Sequence, residues 1–140
     1  MHKVFIFTPT YNRVENLKKL YESLRKQTCK EFIWLIVDDG SNDSTEFYIR
    51  QLQSENIFDI VYLKKENGGK HTAYNLALDY MGGEGWHMVV DSDDWLASTA
   101  VECIIKDISS LQAGKLGVVY PKYGRDSSPQ WLSDNVKYVS

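Results

Sequence analysis

At 140 residues the chain has room for one hydrophobic core, and its 43% hydrophobic and 25% charged residues are those of an ordinary globular domain. A net charge of -3 speaks against a nucleic-acid binder, which carries a basic surplus, so no nucleic-acid partner is expected. An anionic ligand would need local compensation from a metal ion, a lysine or backbone N–H groups.

The chain opens with Met1-His2-Lys3 and an apolar run, Val4 to Phe7, too short for a signal peptide or a membrane span. A soluble, cytoplasmic protein is the expectation. Helix-period segments then alternate with further apolar runs, Phe32–Val37, Ile57–Leu63, Trp86–Val90 and Leu116–Tyr120. That alternation predicts an α/β fold on a mostly parallel sheet, with strands covered on both faces. Asn12-Arg13-Val14-Glu15 reads as a capping box ahead of a stripe of Val14, Leu17, Leu20, Tyr21 and Leu24. Asp43-Ser44-Thr45-Glu46 reads as a second, ahead of Tyr48, Ile49 and Leu52. Ala73, Leu76, Ala77 and Tyr80 mark a third helix, stopped by Gly82-Gly83. A fourth opens at Thr99, with Val101, Ile104, Ile105 and Ile108 facing inward. Residues 121–140 have no clear period and read as an irregular tail, the start of a missing half. Cys29 and Cys103 match no metal-ligand spacing and read as reduced thiols.

Ligands of open α/β sheets bind outside the carboxyl ends of the strands, and four runs end there in polar clusters. Thr8-Pro9-Thr10-Tyr11-Asn12-Arg13 offers hydroxyls and a ring to a base, although a plain strand-to-helix loop would look the same. In Asp38-Asp39-Gly40-Ser41-Asn42-Asp43, turn and cap chemistry accounts for Gly40, Ser41 and Asp43. It accounts poorly for two adjacent carboxylates, one of which would gain a purpose by accepting from a base or ribose. Glu66-Asn67-Gly68-Gly69-Lys70-His71 reads as a tight turn; a helix start with a lysine is also a site for phosphate, within reach of His71. His2 and His87 have no evident partner.

Asp91-Ser92-Asp93-Asp94 puts three carboxylates in four residues directly after a buried strand. Like charges held that close resist ionisation unless a cation neutralises them, and hard oxygen ligands suit Mg²⁺ or Mn²⁺. The competing reading is a solvated acidic turn.

Taken in order, these four clusters, with Asn75, resemble the successive motifs of family 2 glycosyltransferases of the GT-A fold, over nearly all of residues 1–120. The resemblance implies a nucleotide-sugar-binding GT-A core at 1–120, a Rossmann-like sheet flanked by helices and incomplete at the C-terminus. It implies transfer of a sugar, with inversion, from a nucleotide-diphosphate sugar to a glycan or lipid-linked acceptor in polysaccharide biosynthesis. Thr8, Pro9 and Tyr11 would line the base pocket and Asp39 would hold the base edge. Lys70 and the Gly68-Gly69 turn would lie near ribose and diphosphate. Asp91, with Ser92, would face the ribose, and Asp93 would bind the metal, with Asp91 and Asp94 as further ligand candidates.

In this family the catalytic base comes from a later half of the domain, so it is expected outside this chain; nothing recommends Asp126 or Asp134. The chain alone is then expected to bind donor and metal with little transfer. A peripheral position at the inner face of a membrane, and a homodimer across an apolar face, are further expectations. Two other enzyme classes fit less well. A haloacid-dehalogenase-type phosphotransferase places its acidic pair after the first strand, and a nucleotidyltransferase would need a Gly-rich basic loop there. A non-catalytic nucleotide-binding module remains the alternative.

Overall fold

The computed structural model describes residues 3–83, 85–111, 117–119 and 137–139. Their elements run β1 (Val4–Thr10), α1 (Val14–Arg25), β2 (Ile33–Asp38), α2 (Thr45–Glu55), β3 (Asp59–Lys64), α3 (Lys70–Met81), β4 (Trp86–Val89), α4 (Ala100–Ser109), β5 (Gly117–Val119) and β6 (Lys137–Val139). The first four strands make one parallel sheet in the order β3-β2-β1-β4.

The chain steps outward twice from β1 and then returns to β1's other side, so its direction reverses between β1 and β4. With crossovers of one hand, the helix that makes the reversal must lie on the opposite face from the two before it. That is what the packing has. Val4, Ile6, Trp34 and Ile36 meet α1, α2 and α4, through Leu17, Leu20, Leu24, Ile49, Leu52, Val101, Ile104 and Ile108. Phe5, Phe7, Leu35 and Val37 meet α3, through Ala73, Ala77 and Met81. Strand period two decides this sorting, even-numbered residues of β1 and β2 to one face and odd to the other. Each fully buried leucine or isoleucine contributes about 2 kcal/mol, and Trp34, the largest, is wholly buried against Tyr21 and Phe58.

Several expectations change. The first strand runs three residues past Phe7, because Thr8, Pro9 and Thr10 stay in register with Ile36, Val37 and Asp38. Coverage on both faces holds only for the two central strands; β3 and β4 are sheet edges in the described residues and half exposed. The run around Leu116–Tyr120 adds no parallel strand: Gly117–Val119 pairs antiparallel with Lys137–Val139 in a separate two-stranded sheet. The rest of the tail, with Asp126 and Asp134, lies outside the described residues. On α3, Tyr80 is half exposed, its ring edge-on to Phe5.

Among the described residues the Asn12 box does not form, since the Ncap of α1 is Arg13 with no side-chain bond; of the second box, Asp43 does cap α2, one residue ahead of its Ser44 Ncap. Asn12 turns at φ 49° and its Oδ1 accepts from the Asn42 N–H instead. Two caps also come from other segments. Asp43 accepts the Val14 N–H of α1 and the Thr45 N–H and hydroxyl of α2, and these bonds outweigh its burial and lower its pKa. Gln27 Oε1 accepts the Val101 N–H of α4. Among the described residues both cysteines are free, and no helix is long and apolar enough to cross a membrane.

Candidate donor and metal site

The reversal between β1 and β4 leaves a crevice at the carboxyl ends of the strands. A cleft of about 370 Å³ lies there, lined by Pro9, Thr10, Tyr11, Arg13, Asp39, Lys70, Ala73, Asp91, Ser92 and Asp93. Residues expected from four separate segments thus meet in one place. They come from the end of β1, the loops after β1, β2 and β4, and the first turns of α3.

Strand period two removes Thr8 from the expected set, placing it on the Ile6 face beneath the cleft. Its side chain falls on the α1 face, fully buried, where the hydroxyl accepts from the Trp34 indole N–H at 3.0 Å. It braces the core rather than facing a base. His71, at the start of α3, does not line the cleft either.

The two adjacent carboxylates of β2 part for the same reason. Asp38 is fully buried on the α1 face, accepting the Ser41 N–H at 2.8 Å and the Tyr62 hydroxyl. Burial, reinforced by this anionic partner, pushes the Tyr62 phenol well above its ordinary pKa. Asp39 turns to the α3 side. Its Oδ1 accepts from Lys65 Nζ at 2.8 Å and the Gly68 N–H at 2.9 Å, and its Oδ2 from the Gly69 N–H at 2.9 Å. The Asn67 side-chain amide adds a bond to the Asp39 carbonyl at 3.1 Å. Mutual repulsion therefore never arises, and each carboxylate has a structural task. The Gly68 and Gly69 N–H groups, expected near phosphate, are spent on Asp39.

Burial raises the pKa of Asp39, but the Lys65 ammonium and the two glycine N–H groups outweigh it and the net shift is downward. A carboxylate depressed on folding stabilises the fold above its unfolded pKa, and the contribution fades as pH falls through the folded value. Below about pH 4 the chain should therefore lose stability, and Asp39→Asn should flatten that slope in urea titrations run at pH 3 to 6. A slope unchanged in the variant would remove Asp39 from the account.

Gly40 makes the turn possible. Its φ is +88°, and a Cβ would sit 2.8 Å from the Asn67 nitrogen and 3.2 Å from the Lys65 carbonyl, so the loop before α3 packs directly on it. Gly40→Ala is expected to cost about 1–3 kcal/mol in urea denaturation, and an unchanged midpoint would mean the loop is not seated there.

The acidic cluster lies at the other wall. One carboxylate oxygen from each of Asp91, Asp93 and Asp94 falls within 4.8 Å of the others. Three hard anionic oxygens at that spacing fit Mg²⁺ or Mn²⁺ in donor chemistry. Two cations flank them, Lys70 Nζ at 2.8 Å from Asp91 Oδ1 and Arg13 at 3.5 Å from Asp93 Oδ2. Arg13 and Lys65 were not singled out from the sequence. The signal for Arg13 is its place in the first polar cluster; for Lys65 there is none, since a lysine at a strand end is ordinary.

The chain matches the family model described as Glycosyl transferase family 2 over residues 5–139. Glycosyltransferase GlyA of Streptococcus pneumoniae is 35% identical over 111 residues, 79% of this chain and 16% of that protein. Crystal structures of S. aureus TarS 1-349 in complex with UDP and with UDP-GlcNAc superpose with TM-scores of 0.66 and 0.65, at 30% and 29% identity, covering 78% and 76% of this chain and 32% and 31% of that 1-349 portion. A mannosyltransferase from Pyrobaculum calidifontis, in complex with GDP-Man and Mn²⁺, shares the fold at TM-score 0.66 and 21% identity, over 82% of this chain and 34% of that one. The chain thus spans less than a fifth of GlyA and about a third of the others. A family match over nearly the whole chain, on a parallel sheet whose reversal point gathers the four polar clusters, makes this chain a member of glycosyltransferase family 2, with a GT-A-like α/β fold.

Proposed function

We propose that the chain carries the donor site of an inverting glycosyltransferase acting in glycan biosynthesis, taking its sugar from a nucleoside diphosphate. The observation that carries this is the convergence of Pro9, Tyr11, Asp39, Lys70, Asp91, Ser92 and Asp93 on one cleft. Pro9 and Tyr11 offer a flat apolar wall suited to a base. Asp39 keeps acceptor capacity on Oδ2, which receives a single N–H in the structure, so a base N–H can still bind there. Lys70 and Asp91, 2.8 Å apart in the same cleft, would meet the ribose and diphosphate. A divalent cation, when bound by Asp93 with Asp91 or Asp94, would offset the charge that the departing nucleoside diphosphate gains. Lys70 supplies positive charge at the same place.

The chemistry also requires a base for the acceptor hydroxyl. The carboxylates lining the cleft are Asp39, Asp91 and Asp93, and each already faces a cation, Lys65, Lys70 or Arg13. That favours a second reading for the chain by itself, binding of donor without transfer, the base coming from elsewhere in the enzyme.

Calorimetric titration of UDP and UDP-GlcNAc, with and without Mn²⁺, tests the first reading. Binding in the micromolar range that needs the metal is expected. Absence of binding by UDP, GDP and dTDP conjugates in every metal condition would refute a working donor site.

A further inference from the structure

Several backbone donors around the cleft are already committed. The Gly68 and Gly69 N–H groups go to Asp39, the Val14 N–H at the start of α1 goes to Asp43, and the Asn12 N–H goes to Ser41 Oγ. A diphosphate in this cleft would therefore draw on cationic side chains as well as on the start of α3. Two cationic ones line the cleft, Lys70 from α3 and Arg13 from the turn into α1.

Arg13 is held loosely. Its only ion pair among the described residues is with Asp93, at 3.5 Å, and the two side chains are 53% and 55% exposed. A pair that long and that wet contributes little, so either partner is free to leave it. Asp93 is also the residue expected to take the metal. A cation there would displace the guanidinium by like charge, and a guanidinium released beside a diphosphate matches two phosphate oxygens at once.

We propose that Arg13 is a diphosphate ligand held in reserve: it is the counter-ion of Asp93 in the empty cleft and passes to the donor's diphosphate when a divalent ion takes Asp93. This rests on the donor-site reading above and adds to it a residue and an order of events. It makes two predictions of opposite sign. Without nucleotide, Arg13 competes with the metal; with nucleotide, it assists.

The test is calorimetry of the full chain, wild type, Arg13→Ala and Arg13→Lys, with circular dichroism to confirm folding. With Mn²⁺ alone, Arg13→Ala should bind about two- to fivefold tighter, the scale of one exposed ion pair. In saturating Mn²⁺, the same variant should bind UDP about tenfold more weakly, the scale of a charge-assisted contact at an open site. Arg13→Lys should restore the wild-type Mn²⁺ affinity and part of the UDP affinity. Arg13→Ala that binds Mn²⁺ no tighter, or UDP no weaker, overturns the proposal while a binding wild type leaves the donor site standing. A wild type that binds neither Mn²⁺ nor UDP removes the donor-site reading itself, and this inference with it.

Discussion

Asp93→Ala is expected to abolish the Mn²⁺ dependence of UDP binding and to weaken binding in saturating Mn²⁺ by about a hundredfold, the scale on which metal sites lose affinity when their ligand shell is damaged. Asp93 is exposed, and its one ion pair among the described residues is the long contact to Arg13. Its removal should leave stability within about 0.5 kcal/mol of wild type. The two readouts therefore separate: a large change in calorimetry, almost none in urea denaturation. Asp94→Ala serves as the companion, since its carboxylate lies in the same 4.8 Å group. Retained metal-dependent binding in Asp93→Ala, with loss in Asp94→Ala, would move the principal ligand one residue along. Retention in both would reduce the cluster to a solvated acidic turn.

Asp39→Ala should combine a stability loss with a binding loss. The substitution leaves the Gly68 and Gly69 N–H groups and the Lys65 ammonium without their acceptor, and it empties a nearly buried position. A lost set of partly buried, charge-assisted bonds amounts to about 3 kcal/mol. The loop they hold leads directly into Lys70, so the lysine loses its fixed place opposite Asp91. UDP affinity should fall with stability, whereas Lys65→Met should lower stability by less and keep the glycine bonds. A variant at Asp39 that binds UDP normally would show that the loop does not position the site.

The pair of carboxylates at the end of β2 illustrates what could be read in advance. Adjacency suggested repulsion relieved by a ligand. A strand sends neighbours to opposite faces, so Asp38 and Asp39 never compete: one joins Tyr62 and Ser41, the other the loop before α3. The same rule was available for Thr8, two residues on from Ile6 and so on the core face with it. Period-two parity sorts these residues without coordinates, and it was the signal left unused. Lys65 carried no such signal, and its role depends on a contact across 26 positions of sequence.

Helix starts failed for a different reason. A capping box is a local pattern, and Asp43 keeps its local bond to Thr45, but a side chain bonds to whichever N–H lies near in space and some of these belong to other segments. Asp43 caps α1 from 29 residues away, and Gln27 caps α4 from 74. Local sequence still located each helix, because the apolar stripes at 3.6-residue spacing decide which segments coil and which face is buried.

Alternation of apolar runs with amphipathic stripes was enough, by itself, to determine the α/β class, the four helices and four of the strands, because backbone periodicity is a local property. Cluster order along the chain was enough to name the family. Which strand neighbours which, and so where the direction reverses and a cleft opens, was decided only by tertiary structure. So were the pairing of Asp39 with Lys65 and the glycine turn and the pairing of Arg13 with Asp93. Each depends on distances between segments far apart in sequence, and a single sequence carries no term for those distances.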